Sequence, residues 1–167
     1  DYALLGASAQ ELGTVQNMVQ MGARPGTGKA VAGLAPALDL ARLAVLKAPL
    51  EEWRKAISKG GADTVLPNGF TPLLWAAVFH PDGAVLRALI QAGADPKRGL
   101  PEEAGGYNVL HIVAEEGRDP QAVHLLVDAG LNVNALTNPQ MMGMTALMLA
   151  VRRNQEPGII KALLERG

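Results

Sequence analysis

The stretches GFTPLLWAA (residues 69–77), GYNVLHIVA (106–114) and GMTALMLAV (143–151) carry the strongest structural signal in this chain. Each begins with glycine, which is followed by one large apolar residue and then by threonine or asparagine. The remaining six residues of each stretch are mostly apolar. Their first residues are 37 positions apart. A second set of glycines, at positions 93, 130 and 167, has the same spacing of 37. Two independent markers with one period indicate an internal structural repeat.

Each repeat is predicted to contain two short helices. The first helices are expected to start at Thr71, Asn108 and Thr145. The second helices are expected to start after Asp82, Asp119 and Glu156, because an acidic residue can accept hydrogen bonds from the free N–H groups of a first turn. Proline follows two of these acids, and it is well tolerated as the first residue of a helix. A glycine closes each second helix, since glycine readily adopts the left-handed conformation found there.

The pattern resembles the ankyrin repeat, whose signature contains Thr-Pro-Leu-His and a glycine after the second helix. Residues 71–73 and 93–95 match it closely, and residues 108–111 and 145–148 match it with substitutions. The resemblance implies that the histidine ring links successive units by hydrogen bonds. Only His111 stands at that position here, whereas the other units carry Leu74 and Met148. Apolar packing is therefore expected to replace the hydrogen bonds in those units.

Weaker copies of the closing motif occur at Gly60-Gly61-Ala62-Asp63 and at Gly22-Ala23. The chain is therefore predicted to be an all-α, ankyrin-type solenoid of about five helix-turn-helix units with finger loops, in one domain. The approximate units are residues 1–34, 35–66, 67–103, 104–140 and 141–167. The fingers at 94–105 and 131–142 are longer than is usual in the family, and fingers of this kind project beside the concave face.

Composition excludes several classes of function. The chain of 167 residues is 49% apolar and 19% charged, which supports a continuous core. Its net charge of −1, without a basic cluster, argues against a nucleic-acid surface. The absence of cysteine excludes disulfides and thiolate metal sites. The most apolar stretch, 30–50, contains Pro36, Asp39, Arg42 and Lys47, so no membrane insertion is expected. We also expect a monomer when no partner is bound.

Residues 23–30, ARPGTGKA, approach the phosphate-binding motif G-x-x-x-x-G-K-[ST]. Ala23 and Ala30 replace its first glycine and its hydroxyl residue. The preceding residues 15–21 have helical rather than strand periodicity, whereas such a loop follows a buried strand. A glycine-rich loop between units is the preferred interpretation, and nucleotide binding through Lys29 is the alternative.

No arrangement of residues predicts catalysis. His111 and Glu115 are four residues apart and could share a helix face as a metal pair. However, His111 occupies the structural histidine position of the repeat, and no second set of ligands accompanies it. No Ser–His–Asp pattern is recognisable. The sequence therefore predicts a protein that is not an enzyme and needs no metal or cofactor.

A first row of candidate partner-binding residues precedes the first helices. Phe70, Tyr107 and Met144 occupy equivalent positions in successive units, and Met141 and Met142 lie nearby. The resemblance implies that such positions line the concave groove, where large side chains are typical interface anchors. The alternative is that the long fingers fold over these residues and bury them.

A second row occupies the predicted exposed ends of the first helices. It consists of the apolar pair Val78 and Phe79, the acidic pair Glu115 and Glu116, and the basic pair Arg152 and Arg153. An apolar pair followed by opposite charges could position a partner along the groove. The alternative is a set of ordinary solvated helix ends. Trp75, which aligns with Ile112 and Leu149, is assigned to the core.

The resemblance implies a protein-binding function. Abundant Ala, Gly, Leu and Arg, with little Lys, is typical of bacterial sequences of high GC content. Bacterial proteins of the family that this chain resembles often act as antagonists of secreted enzymes or toxins, so the resemblance implies an immunity-type inhibitor that blocks a secreted bacterial toxin or lipase. The alternative is an accessory or adaptor protein for another envelope or cytoplasmic protein. Because the chain begins at Asp1 and not at methionine, the periplasm is preferred over the cytoplasm.

Overall fold

In the computed structural model, which describes residues 34–66, 69–100, 105–139, 142–154 and 156–167, the chain is a series of short helices. They are α1 (Ala35–Val45), α2 (Leu50–Ile57), α3 (Pro72–Phe79), α4 (Gly83–Gln91), α5 (Val109–Glu116), α6 (Pro120–Asp128), α7 (Ala146–Leu149), a π-helical turn (Ala150–Asn154) and α8 (Pro157–Arg166). No strand occurs in these ranges. The prediction of an all-helical fold is confirmed.

The first helices start where their capping residues predict. Thr71 Oγ1 accepts a hydrogen bond from the N–H of Leu74 at 3.3 Å. Asn108 and Thr145 cap α5 and α7 in the same way. Each side chain satisfies one of the N–H groups that a first helical turn leaves free.

All three second helices start directly after the predicted acidic residue, and that residue caps two of them. Asp82 Oδ1 accepts from the N–H of Ala84 at 2.7 Å, and Asp119 Oδ1 accepts from the N–H of Gln121 at 3.0 Å. Glu156 is the residue before α8 but makes no capping hydrogen bond, so the predicted cap is wrong there. Glutamate carries one more methylene than aspartate, and it is not among the residues favoured at this position.

Helices of the same kind stack on one another. The first helices pack in the order α1, α3, α5 and α7, and the second helices in the order α2, α4, α6 and α8. Leucine fills equivalent buried positions of the second helices, at Leu89, Leu126 and Leu163. Because each unit buries its apolar faces against its neighbours, one continuous core runs along the stack, as expected of a solenoid.

The described residues contain four helix pairs, which correspond to the predicted second to fifth units. The predicted first unit, apart from Leu34, lies outside the described residues, as does the phosphate-loop-like segment 23–30. The unit boundaries stay predictions. In the described part of the chain, no helix has the length and apolar character needed to cross a membrane.

The two residues that replace histidine behave differently. Leu74 is fully buried, as predicted. Met148 is 55% exposed, so the expectation that apolar packing buries this position is wrong in the last unit. Position 111 is covered by the finger that follows its unit, because the His111 ring lies 2.9 Å from the carbonyl oxygen of Ala135.

Candidate functional site

Three aromatic side chains of one unit lie against each other. The ring centroid of Trp75 is 5.4 Å from that of Phe70 and 5.2 Å from that of Phe79, with which it stacks at an interplanar angle of 18°. Trp75 is buried, which agrees with its assignment to the core, whereas Phe70 and Phe79 are partly exposed. We call Phe70, Trp75 and Phe79 the aromatic face. Its two outer rings are held by a buried indole and are still accessible to a partner.

Tyr107 does not extend this face at the surface. The side chain is only 5% exposed, so the expectation that it is an accessible anchor is wrong. The N–H of Leu100 donates to the carbonyl oxygen of Tyr107 at 2.7 Å, which holds the backbone at this position. Its ring also packs edge-on against His111, with centroids 5.8 Å apart. Burial raises the pKa of the Tyr107 hydroxyl above its ordinary value, and the nearby Glu115 carboxylate acts in the same direction.

The third member of this row, Met144, is partly exposed. Its N–H donates to Thr137 Oγ1 at 2.9 Å, and its sulfur lies 3.7 Å from a guanidinium nitrogen of Arg152. Met142 is exposed and has a left-handed backbone, with φ of 72°. Met141 lies outside the described residues. The row therefore presents accessible surface at both of its ends but not at Tyr107 in the middle.

The second row also divides into buried and accessible members. Phe79 and Glu116 are partly exposed, and Arg152 and Arg153 are exposed. Val78 and Glu115 are buried, so the expectation that both lie at exposed helix ends is wrong. Neighbouring residues on a helix point about 100° apart, so one member of a pair can face the core while the other faces the solvent.

Glu115 is paired within the chain. Its Oε1 lies 2.6 Å from Arg153 Nη1, and the Glu115 side chain is 1% exposed while that of Arg153 is 30% exposed. The two residues are 38 positions apart, which is one repeat plus one residue. That spacing was the available signal for the pair, and the sequence-based prediction missed it. The pair joins α5 to the next unit, which leaves Glu116 and Arg152 as the more accessible charges of the row.

The π-helical turn explains how Arg153 reaches Glu115. A π-helical turn is wider than an α-helical one and changes the direction of the side chains that follow. Within it, Asn154 Nδ2 donates to the carbonyl oxygens of Ala114 at 2.9 Å and Gly117 at 2.7 Å. These two bonds satisfy carbonyl groups at the end of α5. The turn is thereby fixed with Arg153 directed at the buried carboxylate.

Two buried polar atoms near this surface have no hydrogen-bond partner among the described residues. They are Nε1 of Trp75 and Oε2 of Glu115. Burial raises the pKa of the Glu115 carboxyl, and Arg153 opposes that shift. A buried carboxylate with only one paired oxygen is costly, because the second oxygen has lost its hydration without replacement.

His111 has a structural position. Its Nδ1 accepts from the N–H of Asn108 at 3.1 Å, and its Nε2 faces the carbonyl oxygen of Ala135 at 2.9 Å. These partners require a neutral ring with the proton on Nε2. The structural interpretation is therefore confirmed, and both ring nitrogens are engaged. In the described ranges, no group of three or more His, Asp or Glu residues could hold a metal ion.

We expect the stability of the protein to fall as the pH decreases below about 6.5 because of His111. Burial lowers the pKa of this ring from 6.5, so the unfolded chain binds a proton at a higher pH than the folded chain does. The contribution of the neutral ring is thus complete above pH 6.5 and is lost as the pH falls through the lower folded value.

Urea unfolding at several values between about pH 5 and about pH 8 measures this dependence. His111→Leu is the matched variant, since Leu74 stands at the equivalent position. The difference in free energy of unfolding between the two proteins should change with pH in this interval. Parallel curves for the two proteins would contradict the assignment.

Comparisons with known families agree with the repeat spacing. A family model described as "Ankyrin repeats (3 copies)" matches residues 84–167. A second model, "Ankyrin repeat", matches residues 68–98. No curated protein matches the chain. The matched residues include α3 to α8 and therefore the aromatic face and the Glu115–Arg153 pair.

Proposed function

Because the chain belongs to the ankyrin-repeat family, whose members generally are non-catalytic scaffolds for protein–protein interaction, we propose that it is a non-catalytic protein that binds its partner through the aromatic face. The observation that carries this proposal is the pair of partly exposed rings, Phe70 and Phe79, on either side of the buried Trp75. Rings held in one position lose little conformational freedom on binding, which is why aromatic side chains often dominate interface energetics.

The proposed contact surface follows the accessible members of both rows. It comprises Phe70, Phe79, Glu116, Met142, Met144, Arg152 and Arg153. Val78, Tyr107 and Glu115 are buried and support this surface from beneath. Rings at one end and guanidinium groups at the other offer a partner an apolar anchor together with charged contacts that select its orientation. Met141 stays a predicted contact.

We expect Phe70→Ala combined with Phe79→Ala to weaken partner binding by about 30-fold or more, as the loss of an interface hot spot does. The partner is first identified by affinity capture from the source organism with mass spectrometry. Titration calorimetry then gives Kd for each variant. Leu164→Ala is the matched control, because Leu164 is 61% exposed but lies on a second helix, α8, away from the aromatic face.

The aromatic residues also contact Trp75, so thermal unfolding must accompany the binding measurement. A double variant that keeps its helix content and loses binding supports the proposal. An unchanged Kd, or a loss equal to that of Leu164→Ala, would place the binding surface elsewhere.

The finer part of the proposal is that binding inhibits a secreted toxin or lipase. The amino-acid composition and the resemblance to ankyrin-repeat proteins support this inhibitory role. As an inhibitor, the protein should abolish the activity of its captured partner at one-to-one stoichiometry. As an accessory or adaptor protein, it should bind equally well and leave that activity intact.

A further inference from the structure

A second surface feature lies at the turns that join the two helices of each unit. It is a groove of about 570 Å³, lined by Lys47, Val78, Phe79, His80, Pro81, Asp82, Glu116, Arg118 and Asp119. Three successive turns contribute to it, namely those between α1 and α2, α3 and α4, and α5 and α6. Its apolar part consists of the partly exposed Phe79 and Pro81, with the buried Val78 beneath them. We call this feature the turn groove, and it adjoins the aromatic face at Phe79.

Two of the three acidic residues of the turn groove, Asp82 and Asp119, already accept hydrogen bonds from backbone N–H groups of the fold. Asp82 caps α4 through the N–H groups of Ala84 and Val85. Asp119 caps α6, and its second carboxylate oxygen accepts from the N–H of Gly83 at 3.1 Å. Both carboxylates therefore face helix N-termini, whose partial positive charge offsets theirs.

The basic residues of the turn groove, in contrast, are not paired with carboxylates of the described residues. Lys47 and Arg118 are exposed, and neither forms an ion pair with another residue of the described ranges. Lys47 belongs to the first of the three turns and Arg118 to the third. Because α3 packs between α1 and α5, the two cations stand on opposite sides of the α3–α4 turn.

From these contacts, we propose that the turn groove binds an acidic segment of a partner protein, with one apolar side chain of the segment on Phe79 and carboxylates on Lys47 and Arg118. The inference rests on the proposed protein-binding function and specifies the chemistry of the partner. A basic segment would meet Glu116 but would have both unpaired cations against it. Charge complementarity therefore favours an acidic occupant.

The geometry also limits the length of the segment. Packed helices lie about 8–10 Å apart, so two successive steps in the stack separate the outer turns by roughly 16–20 Å. An extended chain advances about 3.3 Å per residue, and about five or six residues therefore span the turn groove. The acidic residues of the partner should flank a central apolar residue within such a segment.

The test is an NMR titration of the ¹⁵N-labelled protein with a synthetic acidic hexapeptide that carries Leu-Phe at its centre and two Asp or Glu residues at each end. Saturable shifts at Val78, Phe79 and their neighbours are expected. A peptide with Lys and Arg at its ends should not saturate, and an acidic peptide with Ser-Ser at its centre should bind more weakly. Failure of the acidic peptide to bind at about 5 mM, or equal binding of the basic one, would overturn the inference.

Charge reversal provides the matched control. Lys47→Glu with Arg118→Glu should weaken binding of the acidic peptide at least 10-fold. Lys59→Glu with Arg87→Glu changes the net charge equally at exposed residues outside the turn groove, and it should have little effect. An equal loss in both double variants would show attraction to overall charge and would overturn the assignment of this groove.

The captured partner separates this inference from the proposed function. If Phe70→Ala weakens its binding and Lys47→Glu with Arg118→Glu does not, the protein-binding function stands and the turn-groove inference fails. If neither variant affects its binding, both fail. A loss in each variant supports both, because Phe70 does not line the turn groove.

Discussion

Replacing Leu126 with alanine is expected to lower the free energy of unfolding by about 2–5 kcal/mol. Leu126 is fully buried on α6, which packs between α4 and α8. The shortened side chain would leave a cavity among three second helices, and closely packed helices can fill it only in part. Leu89→Ala should behave similarly, because Leu89 is the equivalent buried residue of the preceding unit.

Urea unfolding followed by circular dichroism at 222 nm measures this loss. The matched control is again Leu164→Ala, which removes the same atoms from an exposed position on α8 and should change stability by no more than about 0.5 kcal/mol. If Leu126→Ala cost no more than this control, the second helices would not share the continuous core described above.

Removing Arg153 is expected to have a comparable effect. Arg153→Ala leaves the Glu115 carboxylate buried without its cation, and breaking a buried ion pair in this way costs about 3–5 kcal/mol. We expect the lower end of that range at neutral pH, because Arg153 is 30% exposed and water can approach the vacated position. Arg152→Ala is the control, since it removes an exposed guanidinium from the same turn.

A second variant separates the loss of the pair from general damage to the turn. Val78 stands at the position equivalent to Glu115 in the preceding unit. The double variant Glu115→Val with Arg153→Ala therefore removes both charges and keeps an apolar side chain that the fold already accepts. It should be more stable than Arg153→Ala alone, because no unpaired charge is left inside. A double variant less stable than Arg153→Ala would contradict this explanation.

The pH dependence of Arg153→Ala follows from the same carboxyl group. Burial raises the pKa of Glu115 above its ordinary value of 4.5, so the folded state binds a proton at a higher pH than the unfolded state. The unfavourable contribution of the charged carboxylate is complete above the folded pKa and disappears as the pH falls toward 4.5. The cost of Arg153→Ala should therefore decrease in acid, and a cost independent of pH would show that Glu115 is not its cause.

Several features of this fold could be predicted from short stretches of sequence. The starts of α3, α5 and α7 follow from Thr71, Asn108 and Thr145, because a capping side chain bonds to an N–H only a few residues away. The burial of Trp75 follows from its alignment with aliphatic residues in the other units. The same local reasoning fails at Glu156, which was predicted to cap α8. It has the right position and charge, but it makes no capping hydrogen bond.

The accessibility of the candidate site could not be predicted in the same way. Tyr107 aligns with the partly exposed Phe70 and Met144, yet it is buried and its ring packs against His111. Glu115 reads as a solvated helix end, yet Arg153 from the next unit pairs with it inside the protein. The contact of Arg153 comes from another unit, and helical periodicity within one unit contains no information about it.

The amino-acid sequence by itself determined the period of 37, the pairing of helices within each unit and the membership of the family. Capping and helical periodicity involve residues that are only a few positions apart, and the repeat returns at a constant spacing. All three can therefore be recognised in the sequence itself. Only the tertiary structure decided which large or charged side chains face the solvent. That outcome depends on packing and on contacts between units, such as the ion pair that Arg153 in the π-helical turn makes with Glu115 of the preceding unit. Equivalent residues of a row therefore differ in exposure.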